Sequence, residues 1–169
     1  ETLARDWALP GTPGLEHRIG GLEKAANTGN VSYDADNHDY MVKLRQQKID
    51  VIADFIPDLK VYGETKGELL VLSWGGTYGA CRAAVEKAIK NGISVSHVNL
   101  KHINPFPKNL AEILLKFNKV LIPEINLGQL STIVRSKFLI DTVNFNRVSG
   151  KPFTTSDIFE KIEQIIEGN

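Results

Sequence analysis

Three short segments hold most of the residue types that could do chemistry: Ser73-Trp74-Gly75-Gly76-Thr77-Tyr78-Gly79, Lys101-His102-Ile103-Asn104-Pro105-Phe106-Pro107 and Pro123-Glu124-Ile125-Asn126-Leu127-Gly128-Gln129. Each follows an apolar run that reads as a buried strand. Ligands of an open parallel sheet sit outside the carboxyl ends of its strands, so these segments would line one end of one sheet. Free backbone N–H groups at a helix start attract anions. Gly75, Gly76 and Thr77, with Lys101 and His102 from the second segment, are therefore the candidates for a weak anion site. The competing reading is that the glycines only let a strand turn tightly into a helix, and the motif tests favour it.

A dinucleotide fingerprint needs G-x-G-x-x-G and an acid about 20 residues further on. Here the glycines are Gly75, Gly76 and Gly79, and the next strand ends in Lys101-His102 rather than an acid. A P-loop and a G-x-S-x-G elbow are both absent. Cys81, the only cysteine, falls on the apolar face of the following helix and reads as core; one thiol cannot hold an iron–sulfur cluster. "DADNHD", Asp34 to Asp39, fails as a calcium loop: it has Asp39 where glycine is needed and Arg45 where glutamate is needed. It reads instead as acids favouring a helix N-terminus. His17, His38, His97 and His102 have no metal-ligand spacing, so no metal site is expected; His97 is placed on a sheet face and His102 in a loop. A second use of the loops is docking. Phe106, Ile125 and Leu127, beside Asn104, Asn126 and Gln129, put apolar residues where water favours polar ones, which suggests a contact with a neighbouring domain or subunit. The alternative is that they tuck under their own helices.

The elements that would position these segments follow from periodicity. Residues 1–35 are turn chemistry ("LPGTPG", "RIGGLE", "NTGN") and read as an arm lying on another part of a parent protein. A helix is expected over Asn37–Phe55 with Met41, Leu44, Val51, Ile52 and Phe55 on one face. Pro57 ends it, and the boundary falls near residue 63: residues 1–63 are an N-terminal arm and helix, 64–169 an α/β domain. There the pattern alternates. Strands are expected at Leu69–Trp74, Ser94–Leu100, Val120–Ile122 and Thr142–Val148, the last an edge strand because Val143 and Phe145 alternate with Asn144 and Asn146. Helices are expected at Tyr78–Lys90, with Glu86 paired to Lys90, from Pro107 with the face Leu110, Ile113, Leu114 and Phe117, and at Leu130–Phe138 burying Leu130, Ile133, Val134 and Phe138. A last helix starts at "TTSD" and buries Ile158, Phe159, Ile162, Ile165 and Ile166. Strand–helix units in succession argue for a mostly parallel sheet with helices on both faces, a three-layer α/β fold.

Composition bounds the partners. The 42% hydrophobic and 24% charged shares are those of a globular domain. Lys+Arg and Asp+Glu are both 20, so nothing points to nucleic acid. No apolar run approaches the ~20 residues that span a bilayer, and the single cysteine fits a reducing cytoplasm. The chain opens without an initiator methionine and reads as a piece of a longer one.

Five stretches taken together are familiar. "GTPGLEHRIGGLEK", "GNVSYDADNHDYMVKLRQQKI", "LLVLSWGGTYGA", "HINPFPKNL" and "VLIPEINLGQLSTIVRSKFLIDTVNFNRVSGKPF", in this order from about Leu9 to Phe153, resemble the C-terminal region of the α subunit of 2-oxoglutarate:ferredoxin oxidoreductases, within the 2-oxoacid:ferredoxin oxidoreductase family. The resemblance implies a transketolase C-terminal-like domain. It implies a parent enzyme that decarboxylates a 2-oxoacid on thiamine diphosphate, passes electrons through an iron–sulfur cluster to ferredoxin and forms an acyl-CoA. The family's thiamine diphosphate signature, G-D-G followed by paired asparagines, belongs to the β subunit and does not occur here. The expected role is thus a non-catalytic domain that supports assembly with the β subunit, inactive alone. The rivals are a domain of the same complex that binds an anion or a CoA phosphate, a freestanding nucleotide-binding α/β protein, and a freestanding interaction module.

Overall fold

The computed structural model describes residues 3–17 and 19–168. The chain divides into two compact units, 1–55 and 56–169.

In the first unit, helix α1 spans Ala35–Asp50 and continues as a 3-10 turn over Val51–Phe55. It starts two residues before the expected Asn37 because Asp34 caps it, its carboxylate accepting from the Asn37 N–H at 2.7 Å. The turn-rich segment before it is tied to the helix by polar contacts. Asn37 donates to the Lys24 carbonyl and accepts from the Ala26 N–H, and Glu23 takes both arms of the Arg45 guanidinium at 3.1 Å. Those Arg45 bonds, then the His38 contact, hold the Glu23 carboxyl down at about 2. The expected apolar face is only partly covered. Met41 is buried and Leu44 half-buried, but Ile52 and Phe55 are exposed. Among the described residues of this unit no buried apolar cluster forms around α1; Leu22 and Trp7 line a shallow hollow beside Met41 and Leu44.

The second unit carries the sheet. Strands β1 (Gly67–Trp74), β2 (Val95–Leu100), β3 (Phe117–Glu124) and β4 (Val143–Asn146) lie in the order β2-β1-β3-β4, all parallel. Helix α2 (Tyr78–Lys90) and helix α5 (Thr155–Glu167) cover one face. Helix α3 (Leu110–Leu114) and helix α4 (Gln129–Phe138) cover the other. Central strands β1 and β3 are buried on both faces, which is why they read as unbroken apolar runs. Cys81, Ala84, Val85 and Ala88 of α2 meet Ile158, Phe159 and Ile162 of α5 over Leu69, Val71 and Leu121. Opposite, Leu110, Ile113 and Leu114 join Leu130 and Val134 over Leu70, Leu72 and Ile122. Edge strand β4 alternates half-buried Val143 and Phe145 with exposed Asn144 and Asn146, as its sequence does. Among the described residues no helix is long and apolar enough to cross a membrane.

Several local expectations change. The compact units divide at Phe55/Ile56, not near residue 63, because residues 59–62 join the sheet domain. Leu59 exchanges two hydrogen bonds with the Asn109 amide, and Tyr62 forms an antiparallel bridge with His97. Helix α3 is five residues long, and Phe117 is not on it. Phe117 opens β3 opposite Gly67 and reaches the same core from the strand. Ile133 is exposed, on the outer side of α4. Glu86 pairs with Arg82 at 3.5 Å rather than with Lys90. The Tyr62 hydroxyl donates to the same Glu86 carboxylate, and Arg82 lies on the Tyr62 ring, so Glu86 is drawn toward that side. Ile166 is half-buried at the end of the α5 stripe. The cap of α5 resolves to Thr154, in a reciprocal box with Asp157. Arg147 grips Asp157 through two bonds of 2.8 Å, which with the Thr154 bonds holds its carboxyl well below the usual range.

Candidate functional site

The carboxyl ends of the strands gather the three segments. After β1 the chain makes a 3-10 turn, Gly75–Thr77, into α2. Gly75 adopts φ 55°, a left-handed conformation that side chains resist. Thr77 closes the turn on itself: its hydroxyl donates to the Trp74 carbonyl at 2.9 Å and accepts from the Trp74 N–H at 3.3 Å. The turn therefore has a structural reason of its own. Thr77 is buried and committed locally. Cys81, one turn on, is fully buried, and burial pushes its thiol up to about 12, beyond use as a nucleophile.

Beside this turn a cleft of about 750 Å³ opens between the ends of β1 and β2. Gly75 and Lys101 line it, together with Lys60, Tyr62, Trp74, Tyr78 and Arg82. Its floor is polar and buried. The Ser73 hydroxyl lies 2.7 Å from Nε2 of His97 and 2.9 Å from Oδ1 of Asn99. Ser73 is fully enclosed and His97 is 2% exposed, so this Ser–His contact is no hydrolytic dyad: a substrate cannot reach the hydroxyl. The Tyr78 ring covers the imidazole at 5.8 Å between centroids. Burial first, and the Arg82 charge second, push His97 down to about 4. The imidazole is neutral near pH 7, and the positive charge of the cleft comes from Lys60, Arg82 and Lys101.

That depressed value has a consequence for stability. The unfolded chain binds the proton at about the ordinary value of 6.5, the folded chain only near 4. The stabilising contribution is thus complete above about pH 6.5 and is lost as pH falls toward 4. Denaturant titrations of His97→Gln against wild type between pH 7 and 4.5 should show the wild type losing stability more steeply, by up to about 1.4 kcal/mol per pH unit, the limit for one proton. Parallel pH profiles would contradict the assignment.

The remaining candidates separate. Gly76 is exposed and, with Thr77 and His102, lies outside the cleft lining; His102 is an exposed loop residue. Asn104 is exposed. Phe106 is 6% exposed, packed on Phe138 at 5.5 Å between ring centroids, and so belongs to its own core rather than to a docking surface. Ile125 and Leu127 are 51% and 83% exposed. Their loop is stiff. Oδ1 of Asn126 accepts from the N–H groups of Gly128 and Gln129 at 2.7 and 3.1 Å. Gly128 takes φ 91°, where a Cβ would stand 2.8 Å from the Asn146 amide. Gln129 is the exposed first residue of α4.

Residues missed from sequence include the main polar support of this end of the sheet. Glu124 is fully buried, its two oxygens accepting from the N–H groups of Leu130 and Ser131 at 2.9 Å each, so it satisfies the N-terminus of α4. An acid at a strand end, a few residues before a helix, was the available signal. Lys60, Tyr62 and Arg82 were missed because the bridge that brings residue 62 to His97 is non-local.

A four-stranded parallel sheet covered on both faces, with its loops gathered at the carboxyl ends, is the architecture of the transketolase-like α/β domains. A split-gene transketolase superposes with a TM-score of 0.51 at 16% identity over 65% of this chain and 41% of that one, which bears on the fold alone. Residues 67–158 match pyruvate:ferredoxin oxidoreductase core domain II, and the chain belongs to that family. It is 48% identical, over 99% of its length, to the 2-oxoglutarate oxidoreductase subunit KorA of Mycobacterium tuberculosis, of which it covers 26%. The 2-oxoglutarate:ferredoxin oxidoreductase from Magnetococcus marinus, solved with 2-oxoglutarate, coenzyme A and succinyl-CoA bound, superposes with a TM-score of 0.85 at 31% identity over 94% of this chain and 28% of that chain. Further relatives are α subunits of 2-oxoacid:ferredoxin oxidoreductases. The chain thus spans about a quarter of the curated relatives it matches.

Proposed function

We propose that this chain is the domain II portion of the α subunit of a cytoplasmic 2-oxoglutarate:ferredoxin oxidoreductase, and that it serves assembly rather than chemistry. The observation that carries this reading is the likeness, over nearly the whole chain, to a subunit that acts on 2-oxoglutarate. The complete enzyme decarboxylates the 2-oxoacid on thiamine diphosphate, passes electrons through an iron–sulfur cluster to ferredoxin and releases an acyl-CoA. The residues of this chain do not fit the first two groups. Its one cysteine is buried in the face of α2, and among the described residues no cluster of His, Cys, Asp and Glu could hold the metal that usually accompanies a bound diphosphate. In this reading those groups belong to the β subunit.

The assembly surface is the stiff loop 125–128. On full burial Leu127, largely held out in water, gains up to about 1.5–3 kcal/mol and the half-covered Ile125 about half of that, and the loop, pinned by Asn126, loses little entropy in docking. The test uses the full-length subunit co-expressed with its β subunit. Ile125→Ala with Leu127→Ala is expected to leave the melting temperature of the 169-residue chain within about 2 °C of wild type and to weaken assembly by at least about tenfold. Ferredoxin reduction by the wild-type complex, assayed with several 2-oxoacids, tests the substrate. Unimpaired assembly of the double variant would refute the docking role, and no reduction with 2-oxoglutarate would refute the activity.

A second reading concerns the cleft, where Gly75 and Lys101 stand with Lys60 and Arg82. Three cationic side chains around one cleft favour an anion there, so the cleft is a ligand site of the same complex.

A further inference from the structure

The cleft beside the Gly75 turn has more cationic side chain than its own structure uses. Lys60 and Lys101 have no ion-pair partner among the described residues. Arg82 is only partly matched: Glu86 lies 3.5 Å away, and the guanidinium lies 3.1 Å above the Tyr62 ring centroid. Three cations around one opening repel each other, and that repulsion is relieved when an anion sits among them. An inorganic anion would use only this half of the site. The other half is aromatic: Trp74, half-buried, and Tyr78, about half-exposed, stand where β1 passes into α2. The floor adds a donor. Asn99 has its Oδ1 engaged by Ser73, which leaves its Nδ2 to donate. A volume of about 750 Å³ is far more than one phosphate fills and lies within the ~300–1,000 Å³ of small-molecule sites.

We propose that this cleft binds a nucleoside diphosphate, with its phosphates among Lys60, Arg82 and Lys101 and its base against Trp74 and Tyr78. This rests on the anion reading above and narrows it. The mode differs from the glycine-fingerprint one whose motif is absent. The charges are carried by side chains, and the glycine turn contributes room: a Cβ at Gly75 would meet nothing within 4 Å. A base stacked on an aromatic ring is worth about 1–3 kcal/mol, so the nucleoside should contribute measurably beyond the phosphates. The same chemistry could arrive as a free nucleotide or as the nucleotide end of coenzyme A.

The test titrates the 169-residue chain with pyrophosphate, ADP and coenzyme A by calorimetry, with amide NMR to place the contacts. ADP is expected to bind with a Kd below about 1 mM and about tenfold tighter than pyrophosphate. Tyr78→Ala should shrink that difference severalfold, Trp74 remaining as a second platform, and Lys101→Ala, at an exposed position, should weaken both ligands about tenfold; thermal melts confirm that each variant is folded. Coenzyme A binding like ADP identifies the cofactor as the source, and its exclusion identifies a free nucleotide; either supports the site. ADP no tighter than pyrophosphate overturns the nucleotide and leaves the anion site. Binding that neither variant alters places the ligand elsewhere and overturns the proposal. No binding of any probe overturns both readings.

Discussion

Ile162→Ala should lower the stability of the sheet domain by about 2–5 kcal/mol, seen as a fall in denaturant midpoint with an unchanged slope. Ile162 is fully buried at the centre of the α5 stripe, between Ile158 and Ile165 and facing Ala84, Val85 and Ala88 of α2. Ile162 belongs to a closed cluster of buried side chains from α2, α5 and the sheet, so the lost methyl and methylene groups leave a hole inside a packed core. Such a core relaxes only in part, which places the cost above the transfer term alone. Ile166, half-buried in the last turn of the same stripe, provides the control: Ile166→Ala should cost clearly less. Equal midpoints for wild type and Ile162→Ala would mean that α5 does not pack where the structure has it.

That stripe was legible in the sequence for the reason it is stabilising. Apolar residues at helical spacing over thirteen residues admit one face only. The unbroken apolar runs of β1 and β3 and the alternation in β4 were equally direct, because burial on two faces or one writes itself into composition. Legibility fell where an apolar residue had two places to go. Phe106 and Leu127 look alike in sequence, each beside a proline or glycine ahead of a helix. Phe106 falls into the core against Phe138, while Leu127 stands out on a loop that Asn126 and Gly128 stiffen. Phe117 has helical spacing from Leu114 and Leu110, yet it points into that core from a strand, since both geometries reach one layer. The α1 face is a different case: periodicity says which side is apolar and not whether anything covers it, and Met41 is buried while Ile52 and Phe55 are exposed.

The cleft was half legible. Gly75 and Lys101 announced themselves by following strands. Arg82 lies on the expected helix Tyr78–Lys90 with no role assigned to it, and Lys60 and Tyr62 fall in the stretch 1–63 read as an N-terminal arm and helix. Their convergence depends on one antiparallel bridge, Tyr62 to His97, between segments with no local signal for pairing. The bridge also fixes Tyr62 as the platform for Arg82 and the donor to Glu86. The sequence-local turn and the non-local strap meet at His97, whose neutrality follows from how thoroughly they cover it.

The largest single-residue effect is expected at Glu124. Its carboxylate is wholly removed from water, which alone would be strongly unfavourable. What makes it tolerable is the start of α4: two N–H groups, of Leu130 and Ser131, each donate to a separate oxygen at 2.9 Å, where the helix dipole adds its positive end. The arrangement is mutual, since those N–H groups have no carbonyl within the helix to bond. Glu124→Ala would strand both donors in a dry environment, at about 1–3 kcal/mol each, so a loss of about 2–6 kcal/mol is expected. Glu124→Gln keeps the shape and can accept through only one atom, so it should fall between. The order wild type, Gln, Ala in denaturant midpoint is the prediction. The loop 125–128 hangs between Glu124 and α4, with Asn126 bonded to the N–H groups of Gly128 and Gln129, so its stiffness depends on the same anchor. Amide exchange of Gly128 and Gln129 should therefore quicken in Glu124→Gln even at temperatures where the core remains protected. If the two variants melt with wild type, or if the loop amides exchange unchanged while the midpoint falls, Glu124 does not anchor α4 and the loop 125–128 as the hydrogen bonds indicate.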